Sequence, residues 1–125
     1  MSFTLDIKKF AQKTDSTLDE AARAIKISLF NGVIRDTRVD TGRLRGNWQT
    51  TTGAPATGKV DRQDKVAQGT NGGKAMDDVV KTVKGDTVDY LTNNLIYARV
   101  WNERDGMIEK NMARIDRIVK EVSRR

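Results

Sequence analysis

"VDTGRLRGNW", residues 39–48, lies where the chain changes character. Helical periodicity runs up to it, and the β-like run "NWQTTT" (47–52) leaves it. Asp40 and Thr41 can hydrogen-bond nearby backbone amides, and Gly42 frees the chain to turn tightly. The stretch therefore reads as a corner between a helix and a strand. If Thr41 caps a helical turn, Leu44 and Trp48 lie four apart on one side; in extended chain they still share a face. Either way both point inward, and burial of the tryptophan contributes on the order of 3 kcal/mol. Arg43 and Arg45 then point elsewhere. Two guanidinium groups on a rigid corner suit bidentate recognition of carboxylate or phosphate, so both are candidate partner contacts.

Upstream, Ser16 with Asp19 reads as a capping box, with Thr17 and Glu20 as the alternative register. Leu18, Ala22, Ile25, Leu29 and Val33 then recur at four- and three-residue steps, which predicts a helix from about Thr17 to Asp36. Gly32 within it is a weak point, costing about 1 kcal/mol relative to Ala. A shorter helix is expected near Leu5 to Lys13, with Ile7, Phe10 and Ala11 on one face.

Downstream, "DTVDYLT" (86–92) has the Thr, Val and Tyr content of a second strand, and "AMDDVVKTVK" (75–84) reads as a short helix between the two strand regions. "NNLIYARV" (93–100) is open between two readings. Asn93-Asn94 can serve as a hairpin turn into another strand, or the segment can turn helical. Ile108, Met112, Ile115, Val119 and Val122 mark a closing helix whose outer faces carry Arg114, Arg117, Lys120, Arg124 and Arg125. The fold class expected is α+β: a small antiparallel sheet packed with a long N-terminal helix and a C-terminal helix, within a single domain spanning 1–125.

Residues 53–73 break the pattern. They hold five of the ten glycines and the only proline, and Val60 and Val66 follow no period. A loop this long in a compact domain is usually functional or disordered. It is read here as a long Gly-rich arm that orders against a neighbouring subunit, with Lys59, Val60, Arg62 and Val66 as its candidate contacts. An idle surface loop fits the composition equally well.

Composition narrows the function. The 125 residues carry a formal net charge of +6, with no histidine and no cysteine. The commonest general base, the commonest metal ligands and any disulfide framework are thereby missing. No paired-carboxylate motif and no phosphate-cradling glycine loop is found, so no catalytic, metal or cofactor residues are assigned. The basic excess is compatible with nucleic acid or with an acidic protein partner, and equally with solvated helix faces. No apolar run is long enough to span a bilayer.

The decad also resembles a known pattern. "VDTGRLRGNW" looks like the "dTGrLrxSw" signature of the tail-completion or neck proteins of tailed bacteriophages. "NNLIYARVWNERDGMIEKNMARI" (93–115) is similar to a second segment of that family, with Asn94, Tyr97, Ala98, Glu103, Gly106 and Met107 at matching positions. Ile96 stands where family members usually carry Pro, and "NERDG" replaces an acidic-aromatic-Gly run. The two segments cover roughly a quarter of the chain. The resemblance implies a non-catalytic virion protein, assembled in the host cytoplasm. Such a protein forms a homo-oligomeric ring around the DNA channel and contacts other neck and tail proteins, without sequence-specific DNA binding. It also favours a helical turn over a hairpin strand for 97–103. The competing expectation is a small basic nucleic-acid-binding module.

Overall fold

The computed structural model describes residues 3–124. In chain order it comprises α1 (Phe3–Lys13), α2 (Leu18–Arg35), α3 (Arg43–Gly46), β1 (Gln49–Thr52), α4 (Lys74–Thr82), β2 (Asp89–Thr92), α5 (Ala98–Asp105) and α6 (Met107–Ser123). Strands β1 and β2 pair antiparallel with Gln49 opposite Thr92 and Thr52 opposite Asp89. This is a small α+β fold with helices at both ends of the chain. Residues 97–103 are helical from Ala98 onward, so the hairpin alternative is not realised. No helix among the described residues is long and apolar enough to cross a membrane.

Helix α2 starts from Thr17, not Ser16. The Thr17 hydroxyl accepts from the Glu20 amide at 3.1 Å, and the Glu20 carboxylate accepts from the Thr17 amide at 2.9 Å. Ser16 is engaged elsewhere, with its hydroxyl 2.6 Å from that of Thr14. The second register of the capping box is therefore the one formed, and Thr17 leaves Leu18 at the helix's first, exposed position.

Gly32 has a packing reason. A Cβ there would land on the Asn111 side chain and the Arg114 guanidinium of α6, so the missing side chain lets the two helices approach closely. Asn111 is buried on the apolar side of α6, one turn from Met107 and one turn from Ile115. Its amide donates to the Met107 carbonyl at 2.8 Å and to Asp36 at 2.9 Å. The buried stripe of α6 thus runs Met107, Asn111, Ile115, Val119: Ile115 and Val119 are as read from sequence, while Met107 and Asn111 take the places expected for Ile108 and Met112. Met112 is left 56% exposed, a correction to its expected place in the core.

A two-stranded ribbon is marginal alone and needs an apolar backing. Here Trp48, Val33, Ile34, Met76, Val79, Val83 and Met107 form the main core, with Leu91 of β2 packed against it. A second cluster joins Ile25, Ile115 and Val119, with Ile7 and Phe10 of α1 against them. A third, smaller cluster joins Leu44, Leu95 and Ala98, with Trp101 beside it.

Candidate functional site

The corner at 39–48 is built on two glycines. Gly42 adopts φ +87°, a left-handed conformation that any Cβ would strain, and begins the single turn of α3. The Thr41 hydroxyl accepts from the Arg43 amide at 3.2 Å. Gly42 and Gly46 lie one helical turn apart, and a Cβ on either would strike the backbone of residues 62–64. Helix α3 is therefore bare on one side, and the long loop lies against it. The Asp64 amide donates to the Gly42 carbonyl at 2.8 Å.

Leu44 and Trp48 both turn inward. The indole Nε1–H donates to the Thr37 hydroxyl at 2.8 Å, and that hydroxyl donates to the Val33 carbonyl at 2.7 Å. Met107 Sδ lies 3.4 Å from the same oxygen. The tryptophan is thus a core residue with its one polar atom satisfied.

Arg45 does not face outward. Its side chain is fully buried, against the expectation that both arginines would meet a partner. The reason is a ring of carbonyls supplied by the loop. Arg45 Nη2 donates to the carbonyls of Thr70 and Gly72 at 2.8 and 2.9 Å, and Nη1 to that of Ala67 at 3.3 Å. Asp64 lies alongside, with its Oδ2 3.8 Å from Nε, too far for a hydrogen bond. Burial lowers the Arg45 pKa from its ordinary value, and the Asp64 charge works the other way. Arg43, two residues earlier, is exposed and remains available to a partner.

The other residues assigned to the arm behave alike. Arg62 donates to the Gly46 and Trp48 carbonyls at 2.7 and 3.0 Å and pairs with Asp78 of α4 at 2.6 Å. The Val60 amide donates to Asn47 Oδ1 at 2.9 Å. Val60 and Val66 are half-buried, and Lys59 alone of the set is exposed. Gly69 donates to the Arg35 carbonyl and Gln68 to that of Asp36. Val60 and Arg62, read as contacts to a neighbouring subunit, make polar contacts within the chain, while Lys59 stays exposed. Polar anchors replace the apolar ones that the segment lacks.

The second motif segment packs against the first. Asn93 Nδ2 donates to the Leu44 carbonyl at 2.8 Å, and Ala98 is buried against Leu44. Asn94 clamps the loop by donating to the carbonyls of Ala56 and Gly58. Gly106, at φ +64°, ends α5 and begins α6, and Met107 enters the core directly after it. Asn94, Ala98, Gly106 and Met107 are thus structural. Tyr97 and Glu103 are exposed, Glu103 accepting from Arg99 at 3.1 Å.

One contact at this corner escaped sequence reasoning. Arg38 donates through two nitrogens to the two oxygens of Asp105, each at 2.7 Å, and its guanidinium lies 3.9 Å from the Trp101 ring centroid. Arg104 approaches the same ring at 5.2 Å. The hydrogen bonds from Arg38 hold the Asp105 carboxyl below its ordinary pKa and, reciprocally, raise that of Arg38. Nothing in local spacing links residues separated by α3, β1, α4 and β2, so the pairing had no signal to find. A small cleft of about 210 Å³ opens between Arg38, Thr41, Leu44, Tyr97 and Trp101.

Among the described residues no cluster of three or more acidic side chains is arranged to hold a metal ion. The chain matches no protein-family model, no curated protein and no solved structure.

Proposed function

We propose that this chain is a non-catalytic structural subunit of a tailed-bacteriophage neck or tail top, forming a ring that joins or completes head–tail assembly around the DNA channel. One observation carries the reading. The two segments that resemble the neck and tail-completion family, about fifty residues apart in sequence, build one continuous corner through the Asn93–Leu44 hydrogen bond and the Leu44–Ala98 packing. Residues of two motifs that meet in space and leave Arg43, Tyr97 and Glu103 exposed suit a surface that contacts other subunits.

The test is the assembly state of the purified chain. Light scattering behind size exclusion, with negative-stain microscopy, should give closed rings of uniform diameter as concentration rises. Free subunits should bind duplex DNA weakly and without sequence preference, losing it toward physiological salt. A persistent monomer with tight, sequence-selective DNA binding at that ionic strength would replace this reading with the nucleic-acid-binding module that the charge of +6 also suits.

A further inference from the structure

The chain carries two exposed apolar surfaces of opposite shape that share no residue. The first is convex. Ile96 is 85% exposed and Val100 52%, and Tyr97 between them is also exposed. Ile96 lies in the turn that leads into α5, where the Ala98 amide donates to the Leu95 carbonyl at 3.1 Å, and Val100 lies in the first turn of the helix; with Tyr97 they make one exposed apolar knob.

The second surface is concave. A groove of about 230 Å³ runs between α2, β2 and α6, with Phe30, Trp48, Leu91, Ile108 and Met112 in its walls. Its carboxylate, Asp89, is turned into hydrogen bonds with Lys26, Thr52 and Thr87. A groove smaller than the usual ~300–1,000 Å³ of a small-molecule site, with no free charge to orient a ligand, fits an inserted side chain better than a metabolite.

Charge matches the two surfaces. Arg99, beside the knob, has a side chain 90% exposed, and its single bridge is to the exposed Glu103. Glu109 and Asp116 flank exposed Met112 by one turn on either side along α6, so the groove's outer lip is acidic. Glu109 accepts from Asn102, and Asp116 pairs with Lys120. Exposed pairs of this kind are worth little and can exchange partners.

We infer that the knob of Ile96 and Val100 on one subunit seats in the groove beside Met112 of the next copy of the chain. This rests on the ring reading. Because the two surfaces are different, the contact is heterologous: each subunit uses its knob on one neighbour and offers its groove to the other, which closes into a ring when the rotation allows. A knob meeting a knob would leave both grooves open to water.

The absence of cysteine makes the test direct. Val100→Cys and Met112→Cys are prepared as single variants and as a double variant, then treated with a short bis-maleimide linker. The double variant should give a ladder of linked oligomers. Each single variant should stay unlinked, and an equimolar mixture of the two should stop at a linked dimer. As an independent check, Met112→Asp should abolish assembly while circular dichroism and melting temperature stay near those of the parent, since the position is exposed. Linking of Val100→Cys to itself would overturn the contact in favour of knob-on-knob pairing. Rings seen by microscopy without any Val100–Met112 linkage would overturn the contact and leave the ring reading standing. A parent chain that stays monomeric at all concentrations would overturn both.

Discussion

The Arg45 guanidinium and the Asp64 carboxylate face each other 3.8 Å apart, with neither side chain meaningfully exposed. The carbonyls of Ala67, Thr70 and Gly72 take up the two terminal guanidinium nitrogens, while Nε and Asp64 Oδ2 face each other without a hydrogen bond. An interior charge held this way fastens a segment that has little apolar surface of its own. Removal of one partner strands the other, whereas removal of both does not.

Arg45→Met should therefore destabilise the chain by about 3–5 kcal/mol, because the Asp64 charge is left buried and unpaired. Adding Asp64→Leu should recover part of that loss. Arg45→Lys should also recover only part, since it restores a charge beside Asp64 but its one nitrogen replaces the two that reach the Ala67, Thr70 and Gly72 carbonyls. Urea unfolding reads all three, and a lysine variant as stable as the parent would refute the carbonyl-ring account.

Gly32→Ala offers a test of sign. In an exposed helix that change gains roughly 1 kcal/mol. Here the new methyl would meet Asn111, which is itself held by Asp36 and the Met107 carbonyl. A net loss of about 1–3 kcal/mol is expected from overpacking. Thermal unfolding decides it, and any gain in stability would mean that α2 and α6 do not pack this closely.

The register of the α2 cap separates two neighbouring residues. Thr17→Ala should cost about 1 kcal/mol, while Ser16→Ala should lie within roughly 0.5 kcal/mol of the parent. Equal effects at both positions would argue against a single cap.

Asp89 links stability to pH. Burial pushes its pKa up, but hydrogen bonds from Thr52, Lys26 and Thr87 outweigh burial and leave it below the ordinary 3.8. A depressed carboxyl stabilises the fold above its unfolded pKa and loses that contribution as pH falls through its folded value. Asp89→Asn should thus be less stable than the parent at neutral pH, with the gap closing below about pH 4. Denaturant midpoints at pH 7 and near pH 3 measure the gap. A gap equally wide at both would mean that Asp89 has no such depressed titration.

The parts of the fold that were legible in the sequence are those governed by local rules. The four-three spacing from Leu18 to Val33 marked α2, and the Thr- and Tyr-rich runs marked β1 and β2. Leu44 and Trp48 were assigned inward from their spacing alone. Illegible were the places where distant chain segments supply the partner. Arg45 read as a surface charge because its acceptors are backbone carbonyls, which no side-chain pattern announces. Asn111 lies beside the apolar positions of α6, and its role needs Gly32 of α2 and Asp36 at the end of that helix. Residues 53–73 looked unanchored because their grip is polar. The exposure of Arg43 followed from its offset to Leu44 and Trp48, whereas that of Tyr97 is defined only by the folded chain.

The pairing of β1 with β2 across residues 53–88 carries a consequence for how the chain is made. No tight turn joins the strands, so the ribbon cannot nucleate as a local hairpin. Closing so long a loop must be compensated by contacts formed elsewhere first. Helix α2 can form as soon as it is synthesised, but β1 must wait for β2, and Trp48 must wait for Met107 from near the end of the chain. A nascent chain therefore spends an interval with a Thr-rich strand edge and an indole uncovered. The shortness of both strands, four residues each, limits what can pair with that edge in the meantime.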